Sequence, residues 1–259
     1  MFGLFGKRPV SSGNSAARVT LETQPDVIYA IGDIHGCLDK LKRLEALISA
    51  DAAGIAGEKL IITLGDYVDR GPNSAQTLNW LAKAPPDGFK RLCLRGNHEA
   101  LFLQAIENPR TARNWLQWGG KETLLSYGID SATFQRMGAK SQLQVMQGMV
   151  PEEHVTFLKS CPIMVGVGEF LFVHAGIRPG LSLAQQRDED LIWIRDPFLI
   201  KDHGLGIRVV HGHTPAAEPQ ITSFRIGIDT AAYDGGPLTA LKITRTGDLG
   251  LLSSEMTLN

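Results

Sequence analysis

The sequence predicts an α/β fold in which two mixed β-sheets pack as a sandwich flanked by helices, in four layers (αββα), with polar groups gathered at strand ends. Three observations lead there. First, apolar runs of strand length, Val27 to Ile31, Leu60 to Leu64 and Arg91 to Arg95, each enter a polar loop that begins with glycine: Gly32-Asp33, Gly65-Asp66 and Gly96-Asn97. Second, each loop leads into residues spaced as on a helix, and continuous apolar strands alternating with helices indicate parallel strands covered on both faces. Third, the later strand-like runs are separated by Gly, Pro and Asp, which suggests a second sheet with antiparallel pairing.

Taken in order, residues 1 to 25 read as a flexible tail. Met1 to Gly6 is apolar before the basic pair Lys7-Arg8, the reverse of a signal peptide, and Ser11 to Ala17 is small and polar. Residues 26–259 read as one domain, since 259 residues suffice for one large core and hardly for two. Leu38, Leu41, Leu44, Leu47 and Ile48 mark the first helix; Ser74 to Lys83 is stopped by Pro85-Pro86, and Glu99 to Glu107 by Pro109. A largely helical insertion follows over about 101–160, with Trp115, Leu116 and Trp118 ahead of Gly119-Gly120 and Pro151 suited to a helix start. Phe170 to His174, Arg208 to Val210, Arg225 to Ile228 and Thr239 to Ile243 are the strands of the second sheet, and two of these runs lead to histidines, at His174 and at His211-Gly212-His213.

Composition narrows function. A net charge of −1, with 43% hydrophobic and 20% charged residues, is that of a folded soluble chain; there is no basic tract for a nucleic-acid partner and no apolar run for a membrane span. Cys37, Cys93 and Cys161 are odd in number and widely spaced, as expected of free thiols in a reducing compartment, so a cytoplasmic location is expected. None of the three sits in the phosphate-cradling loop that a cysteine phosphatase requires, and no Gly-x-x-x-x-Gly-Lys loop is present.

Asp33 and His35 stand two apart at a strand end, where alternate side chains share a face and can grip one cation. Gly65-Asp66-Tyr67-Val68-Asp69-Arg70-Gly71 packs two acids and an arginine between glycines, and Gly96-Asn97-His98-Glu99 adds an amide and an imidazole. With His174 and His213, these segments resemble the calcineurin-like metallophosphoesterases, specifically the phosphoprotein phosphatase branch in its bacterial and phage form. The match covers most of residues 27 to 99 and then islands at Phe172 to Gly176, Trp193 to Asp196, His211 to Pro215 and Asp229 to Leu238.

The resemblance implies a dinuclear metal site: Asp33, His35 and Asp66 on one ion, Asp66, Asn97, His174 and His213 on the other, with Asp66 as the bridge. Mixed carboxylate, amide and imidazole donors suit manganese, iron or zinc, and Mn²⁺ is the working choice. Arg70 and Arg195 would clamp phosphate, His98 would protonate the leaving oxygen with Asp69 holding its ring, and Asn97 and Tyr233 would also meet substrate, although a plain glycine-rich turn is the favoured account of Tyr233. His211 is expected behind the ligands, His154 on the surface, His203 in a polar loop without chemistry, Arg95 as a strand cap, and Trp115 and Trp118 in the core of the insertion.

The implied activity is hydrolysis of phosphoserine or phosphothreonine in a phosphorylated protein or peptide, through in-line attack of a hydroxide between the metals. The alternatives are a diadenosine tetraphosphate hydrolase and a non-catalytic phosphopeptide-binding module. Gly212-His213-Thr214-Pro215 resembles the phosphatase form more than the symmetrical nucleotide-hydrolase form.

Overall fold

The computed structural model of the chain describes residues 17–257. Its strands are β1 (Arg18–Leu21), β2 (Val27–Ile31), β3 (Lys59–Thr63), β4 (Phe89–Cys93), β5 (Met164–Val167), β6 (Phe170–Val173), β7 (Arg208–His211), β8 (Gln220–Ile221), β9 (Arg225–Gly227), β10 (Thr239–Thr244) and β11 (Leu249–Ser253). The helices are α1 (Leu38–Asp51), α2 (Ser74–Leu81), α3 (Asn97–Glu107), α4 (Ala112–Trp115), α5 (Lys121–Ser126), α6 (Ser131–Arg136), α7 (Ala139–Met149), α8 (Glu152–Ser160) and α9 (Asp188–Trp193).

Two mixed sheets form, in the orders β11-β10-β2-β3-β4 and β1-β5-β6-β7-β9-β8. β2 shows why they stack. Every residue of it is buried: Val27, Tyr29 and Ile31 pack against Leu41, Leu44 and Leu78 of the helices, while Ile28 and Ala30 meet Phe172, Val210 and Ile226 of the facing sheet. Alternation along a strand thus feeds two cores at once. A third cluster, including Leu171, Val173, Leu191 and Phe198, closes the outer face of the second sheet.

Three expectations are corrected. Arg18–Leu21, placed in the tail, is a strand paired parallel with β5, because Val19 and Leu21 bury against the inter-sheet core and Arg18 donates to Leu183 O, Gln186 O and Asp188 Oδ1. The tail residues 1–16 lie outside the described residues. Thr239 to Ile243, assigned to the second sheet, forms β10 of the first, antiparallel to β2, and the second sheet is not uniformly antiparallel, since β6, β7 and β9 run parallel. A strand buried on both faces carries the same apolar signature beside either partner. Helices α3 to α8 lead from the site to β5. Among the described residues, no helix is long and apolar enough to cross a membrane.

Candidate metal and phosphate site

The loops after β2, β3, β4, β6 and β7 meet at the carboxyl ends of parallel strands from both sheets, the position where open α/β sheets bind ligands. They bring Asp33, His35, Asp66, Asn97, His98, His174 and His213 together, all at 6% exposure or less. Polar groups of this kind are not withdrawn from water without compensation. Backbone strain collects here too: His35, Asp66, Asp69, Arg70 and His213 all have φ between +43° and +72°, five of the six non-glycine residues in that region among those described. Such conformations cost roughly 1–3 kcal/mol each and persist only where surrounding contacts hold them.

Glu99 is the principal holding group, and it lacked an assigned role in the sequence reading. Its carboxylate accepts from the backbone N–H of Asp66 (2.8 Å), Tyr67 (2.7 Å), Val68 (3.3 Å) and Gly96 (2.9 Å), tying the β3 loop to the β4 loop. Burial raises its pKa to about 7, with the Asp66 charge adding to the effect. Glycine permits the close approach: a Cβ at Gly96 would collide with the Asp66 carboxylate, and one at Gly212 with that of Asp33.

The donor atoms are oriented for a cation. His35 Nδ1 donates to Val68 O at 2.8 Å and His174 Nδ1 to Leu64 O at 2.9 Å, which aims each Nε2 at Asp66, 3.5 and 3.3 Å away respectively. Asn97 Oδ1 lies 2.8 Å from His174 Nε2 and 3.0 Å from His213 Nδ1, while the buried Nε2 of His213 has no hydrogen-bond partner among the described residues. Asp33 accepts from the His213 backbone N–H at 3.0 Å, linking the first loop to the last. Among the described residues, two groups of three side chains place ligand atoms within 4.8 Å of one another, His35-Asp66-His98 and Asp66-His174-His213, and both include Asp66.

Electrostatics describe the same demand for positive charge. Burial opposes a charged His174, yet Asp66 and Asp33 overcome it and carry its pKa up to about 10. Burial and the neighbouring Asp229 raise Asp33, so this corner holds more carboxylate than its own cations neutralise. Burial lowers His35 to about 3 and His213 to about 2, leaving neutral imidazoles of the kind that bind metals. The residues therefore fit a divalent-metal centre on their own chemistry.

His98 differs from the other imidazoles. Its Nδ1 lies 2.8 Å from Asp69 Oδ2, and although burial disfavours charge, Asp66 and Asp69 raise its pKa. Asp69 is itself held by Trp115 Nε1 (2.9 Å) and Thr123 Oγ1 (2.6 Å), both from the insertion. Arg70 is braced through its N–H to Gly119 O at 3.1 Å and approaches His98 Nε2 at 3.3 Å. The Tyr233 ring stacks on the Arg70 guanidinium at 4.5 Å and meets His35 edge-on at 5.1 Å, so the glycine-rich turn, anchored by Lys40 Nζ on Ala232 O and Gly236 O, does reach the site. Arg195 is exposed beside the cluster, with Nη2 3.3 Å from His213 O.

The remaining histidines resolve individually. His211 points away, to Gly212 O, Arg225 and the Phe198 ring, because the strand ends there and His213 turns to positive φ. His154 is buried, not on the surface, between Tyr127 Oη (2.7 Å) and Asn79 Oδ1 (3.0 Å), and His203 is buried against Phe224 O. Arg95 donates from Nη2 to Lys159 O and Cys161 O, at the end of α8. Trp115 lies in the insertion core, but it also supports Asp69, whereas Trp118 is 42% exposed at the rim.

The calcineurin-like phosphoesterase family matches residues 27–251, and the chain belongs to that family. It is therefore of the metal-dependent phosphoester hydrolase class. Among curated proteins it is 25% identical over 244 residues to bis(5'-nucleosyl)-tetraphosphatase PrpE (asymmetrical) of Bacillus thuringiensis strain Al Hakam, covering 86% of this chain and 93% of that protein. The Bacillus cereus strain 03BB102 protein of that name gives the same values. Among solved structures, one provisionally described as a diadenosine tetraphosphatase aligns with TM-score 0.63 at 20% identity, covering 92% and 98% of the two chains. A Saccharomyces cerevisiae protein serine/threonine phosphatase aligns with TM-score 0.56 at 16% identity, covering 95% and 85%. At these identities the structural likenesses speak for the fold.

Proposed function

We propose that the chain is a dinuclear metal-dependent hydrolase of dinucleoside tetraphosphates. The chemistry rests on one observation, that Asp66 belongs to both clusters of ligand atoms. The substrate is supported by relatives named for that activity that align over 93% of their own length. This reverses the order preferred from the sequence, where a phosphoprotein substrate led and the dinucleotide was the alternative.

In this reading Asp33, His35 and Asp66 would hold one divalent cation and Asp66, Asn97, His174 and His213 the other. Bound ions would supply Lewis acidity and lower the pKa of a nearby water. His98 is excluded from the ligands despite its place in one cluster: two carboxylates favour its protonated form, and Nδ1 is committed to Asp69. Its Nε2 is then the proton donor to the leaving oxygen. Arg70, fixed by Gly119 and Tyr233, and Arg195 offer guanidinium donors to phosphate oxygens. Nothing in the donor set selects among manganese, iron and zinc, and Mn²⁺ is the first ion to test.

The serine/threonine phosphatase reading is second, favoured by the His98–Asp69 pair, since an alkoxide leaving group needs a proton more than a nucleotide does. The deciding experiment removes metal, restores Mn²⁺, and compares kcat/KM for diadenosine tetraphosphate with that for phosphoserine peptides. Faster turnover of the peptide would reinstate the protein-phosphatase reading. Binding of phosphopeptide without turnover of either would make the domain a recognition module.

A further inference from the structure

Beside the phosphate clamp runs a ladder of aromatic rings that the hydrolytic chemistry does not use. From His213, the Trp193 ring lies edge-on at 6.1 Å, and Trp118 lies edge-on to Trp193 at 5.8 Å. Burial falls along it: His213 is buried, Trp193 half-buried and Trp118 42% exposed. The ladder joins two distant segments, the insertion and the end of α9, and leads from the ligand cluster to the surface.

Its outer rung is tied to the clamp. Trp118 precedes Gly119, whose carbonyl accepts the Arg70 N–H, and whose φ of +105° and missing Cβ allow the turn to press on Arg70. The wide turn Leu116–Gly120 separates the two nearby indoles, leaving Trp115 buried beneath Asp69 and Trp118 at the rim. An indole held at the mouth of a site offers an apolar face with little rotamer entropy to lose on binding.

We propose that Trp118, backed by Trp193, is a nucleobase platform that stacks on one base of the substrate while Arg70 and Arg195 engage its phosphates. A flat apolar ring next to guanidinium groups matches the two halves of a nucleotide, and base–aromatic stacking tolerates different bases because each has a π-face. The inference rests on the dinucleotide reading above and assigns a specificity role within it.

The test uses the full chain loaded with Mn²⁺. Inhibition constants for AMP and ribose 5-phosphate are measured against diadenosine tetraphosphate hydrolysis in the unsubstituted protein, Trp118→Ala and Trp118→Phe. AMP is expected to inhibit about 10-fold more tightly than ribose 5-phosphate; Trp118→Ala removes that preference and raises KM for the dinucleotide about 10-fold, more than it changes kcat, while Trp118→Phe retains most of it. Full retention of the AMP preference in Trp118→Ala, with dinucleotide turnover intact, overturns the platform alone. So does loss confined to turnover of a phosphotyrosine peptide, which would assign the ladder to an aromatic side chain. Absence of dinucleotide turnover in the unsubstituted protein overturns the functional reading and the platform together.

Discussion

The strand-end loops of the first sheet and the helical insertion converge on the same carboxylate, that of Asp69. The loops contribute Asp69 itself, set in strained backbone, and its partner His98 at the start of α3. The insertion contributes neutral donors, Trp115 Nε1 and Thr123 Oγ1, and the Gly119 carbonyl that steadies Arg70. One region carries the charges and the other aims them. The contrast teaches that a buried acid–imidazole pair depends on neutral neighbours for direction, because each hydrogen bond to the carboxylate limits the positions it can take.

This division can be broken from either side. The largest effect should come from removing metal: prolonged chelation is expected to take hydrolysis to background, with recovery on adding Mn²⁺, and activity that survives verified metal depletion would be incompatible with the proposed chemistry. Next, His98→Ala is expected to lower kcat by about 10²- to 10⁴-fold while metal content, measured by elemental analysis, stays at the level of the unsubstituted protein. An unchanged rate would remove His98 as proton donor.

Smaller effects sharpen the insertion's part. Trp115→Phe keeps most of the buried ring but deletes the donor to Asp69, and kcat should fall about 10-fold, the loss of one hydrogen bond to a charged group. A loss seen only in thermal stability, with kcat intact, would reduce Trp115 to packing. The least effect concerns pH. Burial holds His154 below its ordinary pKa, so the unfolded chain takes up its proton first as pH falls below about 6.5. Its stabilising contribution is complete above that value and is lost toward acid. His154→Gln should therefore flatten the fall in Tm from about pH 7 to about pH 5, and an unaltered slope would count against this account.

The sequence disclosed the charged half of the site more fully than the neutral half. Asp33, His35, Asp66, Asn97, His98, His174 and His213 stood out because each follows a strand-like run, and the structure brings all seven together. Glu99 was visible within its motif but had no role, since its four N–H partners belong to backbone 31 to 33 residues away as well as its own loop. Trp115 and Thr123 carried no signal. An indole or hydroxyl in a helical stretch is equally suited to packing, and only its distance to Asp69 distinguishes them.

The sequence by itself determined the α/β class, the three strand–loop–helix units and the polar loops at the strand ends. These follow from local periodicity and from residue types that must sit at strand ends. Tertiary structure decided that β10 joins the first sheet, that Arg18–Leu21 is a strand on β5, and that Tyr233 and the Trp118–Trp193 ladder border the site. Each of these contacts joins segments far apart in the chain, and neither spacing nor propensity encodes which distant surface will bury a given face.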